Sequence, residues 1–161
     1  MQQLNGAYLL ARPERLNYFD QRSVDLPHAL SPLEAWNMMV AQSHPLLQSA
    51  FWLRDAISAR FGVKKIGGFT PRQRSSVAVG DYLDFFLVEA AEPHALALTE
   101  RDRHLDVMTC ISVEDRRLTI TSSVIVHNAF GRTYMLVVGP AHKVIVHSLL
   151  SRLAMALEAR S

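Results

Sequence analysis

Four histidine and aspartate side chains invite a chemical reading of this chain. His104 and Asp106 stand two apart in the run Asp102-Arg103-His104-Leu105-Asp106, His127 closes a later run rich in threonine and serine, and His142 follows Pro140. Residues two apart on a strand point to the same side, so His104 and Asp106 could form an imidazole–carboxylate pair that activates water or moves a proton, with His127 opposite. The same residues fit a structural role equally: Asp106 accepting hydrogen bonds from a neighbouring strand or arginine, and the histidines closing the sheet edge. That second reading is preferred, so no catalytic set is assigned and His104, Asp106 and His127 stand only as weak candidates. A metal centre built from His104, His127 and His142 lacks the spacing that zinc sites show, and neither a metal nor another cofactor is expected. His142 and His147 lie about 140° apart on a helix and do not form a joint site. Cys110 is the only cysteine, which excludes an internal disulfide and fits a passive thiol in a reducing compartment.

These residues need elements to hold them. Leu16 to Leu26 reads as a first strand, whereas residues 1–15 carry no clear period. Ser31-Pro32-Leu33-Glu34 predicts a helix start, with Ser31 as N-cap, Pro32 in the first turn and Glu34 completing a capping box, and this helix runs to about Ala41. Ser43 can cap a second helix carrying Leu46, Ala50, Leu53, Ile57 and Phe61 on one face, stopped by Gly62. Lys64 to Gly80 reads as a long loop. Strands are predicted over Tyr82–Ala90, His94–Glu100, Arg103–Val113 and Arg117–His127, as an antiparallel meander. A four-residue turn at 114–117 sets Val113 opposite Leu118, Ile111 opposite Ile120, Thr109 opposite Ser122, Val107 opposite Val124 and Leu105 opposite Val126. The other face then carries Asp106, Met108, Cys110 and Ser112, with Thr121 across from Cys110 and His127 across from His104. Gly139-Pro140 predicts a break or kink, followed by a long amphipathic helix from Pro140 to Arg160 with His142, Ile145, Val146, Leu149, Leu150, Leu153, Ala156 and Leu157 on its apolar stripe.

Composition narrows the classes. The 161 residues are 49% hydrophobic, with 17 basic and 15 acidic side chains scattered along the chain, which suits one domain spanning 1–161 and gives nucleic acid no basic patch to bind. No apolar run approaches the roughly 18 residues of a membrane span. The N-terminus lacks a basic start followed by a sustained apolar core, so an unexported, cytoplasmic protein is expected.

The motif set Asp102–Asp106, His127-Asn128, Gly131-Arg132-x-Tyr134 and Pro140-x-His142 resembles an uncharacterised bacterial family within the SRPBCC superfamily, the START-like helix-grip proteins, over roughly Leu16 to Leu157. That resemblance implies an α+β fold: a curved antiparallel sheet gripping a long C-terminal helix, with two short helices after the first strand and a cavity for apolar molecules. Similar members are joined to short-chain-dehydrogenase-like domains, and no such domain is expected here. The resulting expectation is a module that holds a small apolar or amphipathic ligand between sheet and C-terminal helix. His142, Tyr134 and Thr121 would orient that ligand, and Val146, Leu149 and Leu153 would line its apolar part. Two alternatives remain open: a cyclase- or hydrolase-like enzyme using His104 and Asp106, and a regulatory module for a dehydrogenase-like partner. A homo-oligomer is compatible with either.

Overall fold

A computed structural model describes residues 1–4, 6–41 and 73–159. The expected helix over Ser43 to Gly62, with its aromatics Phe51 and Trp52, lies outside the described residues, as do the start of the Lys64–Gly80 loop and Arg160.

The main element is a six-stranded antiparallel sheet in the order β3-β8-β7-β6-β5-β4. Its strands are β3 (Tyr18–Asp25), β4 (Tyr82–Leu83), β5 (Phe86–Ala91), β6 (Ala95–Arg101), β7 (Leu105–Glu114) and β8 (Arg117–Val126). The last five form the expected meander, and β3 returns to pair with β8. The β7–β8 register is the one the alternation predicts, with Val113 opposite Leu118, Ile111 opposite Ile120, Thr109 opposite Ser122 and Val107 opposite Val124. The expected strand Tyr82–Ala90 is instead two, because Asp84 takes a positive φ of 55° and turns the chain back after Leu83. Such a conformation suits aspartate better than most residues.

Residues 1–15 are not featureless. β1 (Gln2–Leu4) and β2 (Ala7–Leu9) form a hairpin around Gly6, whose φ of +77° only glycine adopts without strain. This hairpin lies on the outer face of the main sheet: Ala7 packs with Ala95 and Cys110, Tyr8 N–H donates to Cys110 Sγ at 3.3 Å, and Leu10 N–H donates to Ser123 Oγ at 3.2 Å. Its strands are three residues each, too short for an alternation to register. A short 3₁₀ turn, Pro13–Arg15, leads from it into β3.

α1 (Pro32–Ala41) starts on the expected capping box. Ser31 N–H donates to Glu34 Oε2 at 2.8 Å and Glu34 N–H donates to Ser31 Oγ at 3.2 Å. These bonds favour the carboxylate and lower the Glu34 pKa, burial opposing them weakly. Ala35, Trp36 and Met39 of α1 pack into the core, Trp36 meeting Phe86 edge-on at 6.0 Å between ring centres.

α2 runs unbroken from Ala129 to Glu158 across Gly139-Pro140. The predicted break does not occur. Pro140 removes one hydrogen bond, to the carbonyl of Leu136, but both residues are exposed, Leu136 by 76%, so water can satisfy that carbonyl. Gly139 is a docking point instead. Tyr18 Oη donates to the Gly139 carbonyl at 3.2 Å, and a Cβ at residue 139 would lie 3.2 Å from Tyr18 Cε2. Further along, Val146, Leu150, Leu153 and Leu157 pack with Leu96, Leu98, Ile111, Val113, Leu118 and Ile120, which places the core between α2, α1 and one face of the sheet. No helix among the described residues is long and apolar enough to cross a membrane.

Candidate functional site

The polar run around His104 builds a junction rather than a reactive pair. Asp102 Oδ1 accepts the backbone N–H groups of His104 (2.6 Å) and Leu105 (2.9 Å), fixing the turn into β7. His104 is buried at 8% exposure under Phe130, with 4.5 Å between ring centres. Arg103 Nε donates to its Nε2 at 3.0 Å, and its Nδ1 lies against the Asn128 amide, 2.9 Å from Nδ2 and 3.2 Å from Oδ1. Asn128 is the N-cap of α2: its Oδ1 accepts the Gly131 N–H at 3.0 Å, and its Nδ2 donates to the Arg103 carbonyl at 3.0 Å. Gly131 is required by contact. A Cβ there would stand 2.5 Å from the His104 carbonyl oxygen and 2.9 Å from Val126 Cγ1. The two sequence motifs, 102–106 and 127–131, are therefore the two halves of one clasp between the start of β7 and the start of α2. Tyr134 extends it by stacking on Phe130 at 6.3 Å.

Asp106 lies elsewhere. Its described bonds go to His127 Nε2 (Oδ1, 3.0 Å) and, at 3.9 Å, to Arg101 Nε, and Arg101 Nη1 reaches Glu89 Oε1 at 2.6 Å. The imidazole–carboxylate contact expected between His104 and Asp106 is thus made by His127 and Asp106, at the outer face, where His127 is exposed. Thr121 is on this face too. It is fully buried opposite Cys110, and its Oγ1 accepts Gln21 Nε2 at 3.0 Å, so it does not look into the space between sheet and α2. This corrects its expected place: strand alternation sends Thr121 away from the Ile120 and Ser122 side. Burial pushes the Cys110 thiol up to about 11, against the hydrogen bond it accepts from Tyr8. Among the described residues, no three His, Cys, Asp or Glu side chains gather as a metal site would require.

The helix-bearing face holds the unexpected group. Asp20 pairs across to Ser122, and Ser122 to Thr109, so three polar side chains stand side by side on β3, β8 and β7. Asp20 binds Arg22 on the same face, Arg22 Nε to Asp20 Oδ2 at 2.9 Å. Above them on α2 is His142, edge-on to Tyr18 at 6.0 Å, while Lys143 Nζ lies 5.8 Å from the centre of the same Tyr18 ring. Ser122 is 2% exposed and, among the described residues, its Oγ has no hydrogen-bond partner; His142 Nδ1 is likewise sealed from solvent and unpaired among them. Such orphans are rare, since each costs about 1–3 kcal/mol. Burial lowers the His142 pKa below its ordinary 6.5, Asp20 opposing and Arg22 reinforcing the shift, which keeps the ring neutral near pH 7. Burial, then Asp20, raises Tyr18 to about 12, so its phenol keeps its proton.

Cover is uneven across this face. Ile111, Val113, Leu118 and Ile120 are buried beneath α2 and α1, whereas Val107 and Thr109, in the same central strand, are only half-buried, as are Tyr18, Asp20 and Arg22. On the half beside His142, Leu105, Ser122 and Val124 are buried, and partial exposure is confined to Val107, Thr109 and the β3 side chains. Val146 and Leu153 are sealed in the core cluster and Leu149 packs at its edge, so of the residues expected to line a ligand space only His142 stands at the partly exposed half. Asp20 and Arg22 had no part in the sequence reading, and Ser122 entered it only as the partner of Thr109. The available signal was Thr109–Ser122, the single polar pair in an otherwise apolar face.

A family model described as "Protein of unknown function (DUF2867)" matches residues 12–149. None of the curated proteins and none of the solved structures matches the chain.

Proposed function

The chain belongs to this DUF2867 family, and we propose that it binds a small amphipathic molecule against the partly exposed half of the helix-bearing face. The ligand's polar end meets Ser122 and His142, and its apolar part lies over the half-buried Val107. The observation that carries this reading is the pair of sealed, unpartnered polar atoms, Ser122 Oγ and His142 Nδ1, beside a half-covered stretch of central sheet. A ligand hydroxyl or carbonyl supplies the missing bonds and relieves their desolvation cost, while each Å² of apolar area it covers adds roughly 25 cal/mol. The polar end is uncharged in this reading. His142 is held neutral, a hydroxyl is neutral, and the nearest charges, Asp20 and Arg22, already neutralise each other.

The architecture is taken as START-like helix-grip: one antiparallel sheet, helical insertion after β3, and one long C-terminal helix on one face. In that arrangement the protein works by enclosure and needs no reacting pair. The test is a titration with a medium-chain alcohol and the carboxylate of equal length, followed by tryptophan fluorescence or calorimetry. The alcohol is expected to bind the more tightly, and Ser122→Val to weaken it about 10-fold, the equivalent of one hydrogen bond. Equal affinity of wild type and Ser122→Val for the alcohol, or saturable binding by neither compound, refutes the reading.

A further inference from the structure

The outer edge of β3 offers a second copy of the chain a complete, self-matching partner. β3 is the terminal strand of the sheet, eight residues long, with no proline in it. Such an edge is normally blunted by shortness, proline, a bulge or a covering element. The bonding parity of the sheet shows which of its backbone groups are free. His127 N–H donates to the His104 carbonyl at 2.8 Å, so odd residues of β8 bond to β7. Leu26 N–H donates to the Arg116 carbonyl at 2.8 Å, so even residues of β8 bond to even residues of β3. The backbone groups of Phe19, Gln21, Ser23 and Asp25 therefore point away from the sheet, and among the described residues nothing bonds to them there. The side chains of all four are exposed.

We propose that two copies pair antiparallel along β3, about a two-fold axis at Gln21, joining their sheets into one. Parity demands that odd residues bond to odd residues. The register is then chosen by charge. With Gln21 opposite Gln21 of the second copy, Phe19 opposes Ser23, Tyr18 opposes Val24, and Asp20 opposes Arg22 twice, in non-hydrogen-bonded positions where side chains come closest. A slip of two residues in one direction sets Asp20 against Asp20, and in the other Arg22 against Arg22; either juxtaposition is unfavourable.

An independent feature points the same way. α2 rides over β3 through Gly139 and Tyr18, and Leu149 packs at the edge of the core between α2, α1 and the sheet. Leu136, Pro140 and Val144 of α2 are exposed apolar groups at four-residue spacing, one stripe along the helix. In the paired sheet, the two α2 helices lie on the same face, an isologous arrangement that closes on itself.

The test uses two charge reversals that each break the Asp20–Arg22 pair within a chain and differ only in what they present to a partner. Arg22→Asp makes positions 20 and 22 both acidic, and Asp20→Arg makes both basic. By sedimentation velocity at micromolar concentration, wild type is expected as a dimer and each variant as a folded monomer by circular dichroism, with dissociation at least about 100-fold weaker. Mixing the two variants is expected to restore a dimer containing one copy of each. A monomeric wild type overturns the proposal, as do variants that remain dimeric or a mixture that stays monomeric. Both reversals change the charge beside Ser122 and His142, but the readout is association of the protein alone without added ligand, so a failed dimer and a failed ligand titration remain distinguishable.

Discussion

Replacing Gly131 by alanine tests whether the 102–106 and 127–131 motifs are a packed clasp. In an ordinary helix the change stabilises by about 1 kcal/mol, because glycine loses more backbone freedom than alanine. Here the new Cβ meets the His104 carbonyl oxygen at 2.5 Å and Val126 Cγ1 at 2.9 Å. Carbon contacts become comfortable near 3.5 Å, so the first turn of α2 has to retreat by about 1 Å. The carbonyl cannot yield, since it already accepts the His127 N–H at 2.8 Å. Overpacking of this kind costs about 1–3 kcal/mol, and a shift of that size also stretches the 3.0 Å cap bond from Gly131 N–H to Asn128, worth about 1 kcal/mol. Set against the propensity gain, the net loss is about 2 kcal/mol. Urea denaturation followed by circular dichroism reads it directly, as a lower midpoint at unchanged slope. Gly139→Ala is the internal control. Its Cβ meets only the edge of the Tyr18 ring, at 3.2 Å, which a small ring movement relieves, so it is expected within about 1 kcal/mol of wild type. Gly131→Ala as stable as Gly139→Ala refutes the clasp.

The same clasp predicts that His104→Ala destabilises by about 2–4 kcal/mol, through a cavity under Phe130 and lost bonds to Arg103 and Asn128. Asp106→Asn at the partly exposed His127 pair should stay within about 1 kcal/mol; denaturation midpoints in the reverse order contradict the assignment. His142 gives a pH signature. Its folded pKa lies below the ordinary 6.5, so the unfolded chain takes up more protons as pH falls through 6.5, and the stability present above that value declines. His142→Gln removes this contribution, so the loss between pH 8 and pH 5.5 should be smaller than in wild type, and identical losses would falsify the burial of that ring. Cys110, with its thiol raised to about 11 and covered by the N-terminal hairpin, should react with a maleimide at pH 7.5 only at the rate of local opening, whereas labelling as fast as a free thiol contradicts the docked hairpin.

The sequence carried the fold where one strong periodicity decided it. Alternation along β7 and β8 specified their register residue by residue, because a slip by one would have sent Leu118 and Ile120 to the face opposite Ile111. The capping box at Ser31 and Glu34 was equally legible, being a local bond pattern. What failed had competing causes. Pro140 reads as a helix breaker, yet its lost bond faces water and tertiary contact with Tyr18 outweighs it. The hairpin of β1 and β2 is stabilised by docking on Ala95 and Cys110, which no local pattern announces. The site was legible only in outline. His142 stood out as a polar residue on an apolar stripe, but its neighbours Asp20 and Ser122 are brought together by the pairing of β3 with β8, two strands far apart in the chain. His104 and Asp106 looked like a pair because spacing alone was visible; that His104 precedes the strand and binds Asn128 depends on where α2 starts.

The most direct measurement is native mass spectrometry of the protein as purified, alongside Ser122→Val/His142→Phe prepared identically. Wild type is expected to carry, or to take up from an alcohol series, one small molecule with an uncharged polar end, and the double variant to lose it while keeping its fold. A wild-type protein that carries nothing and takes up no member of the series, or a double variant that retains the same adduct at the same occupancy, contradicts the account.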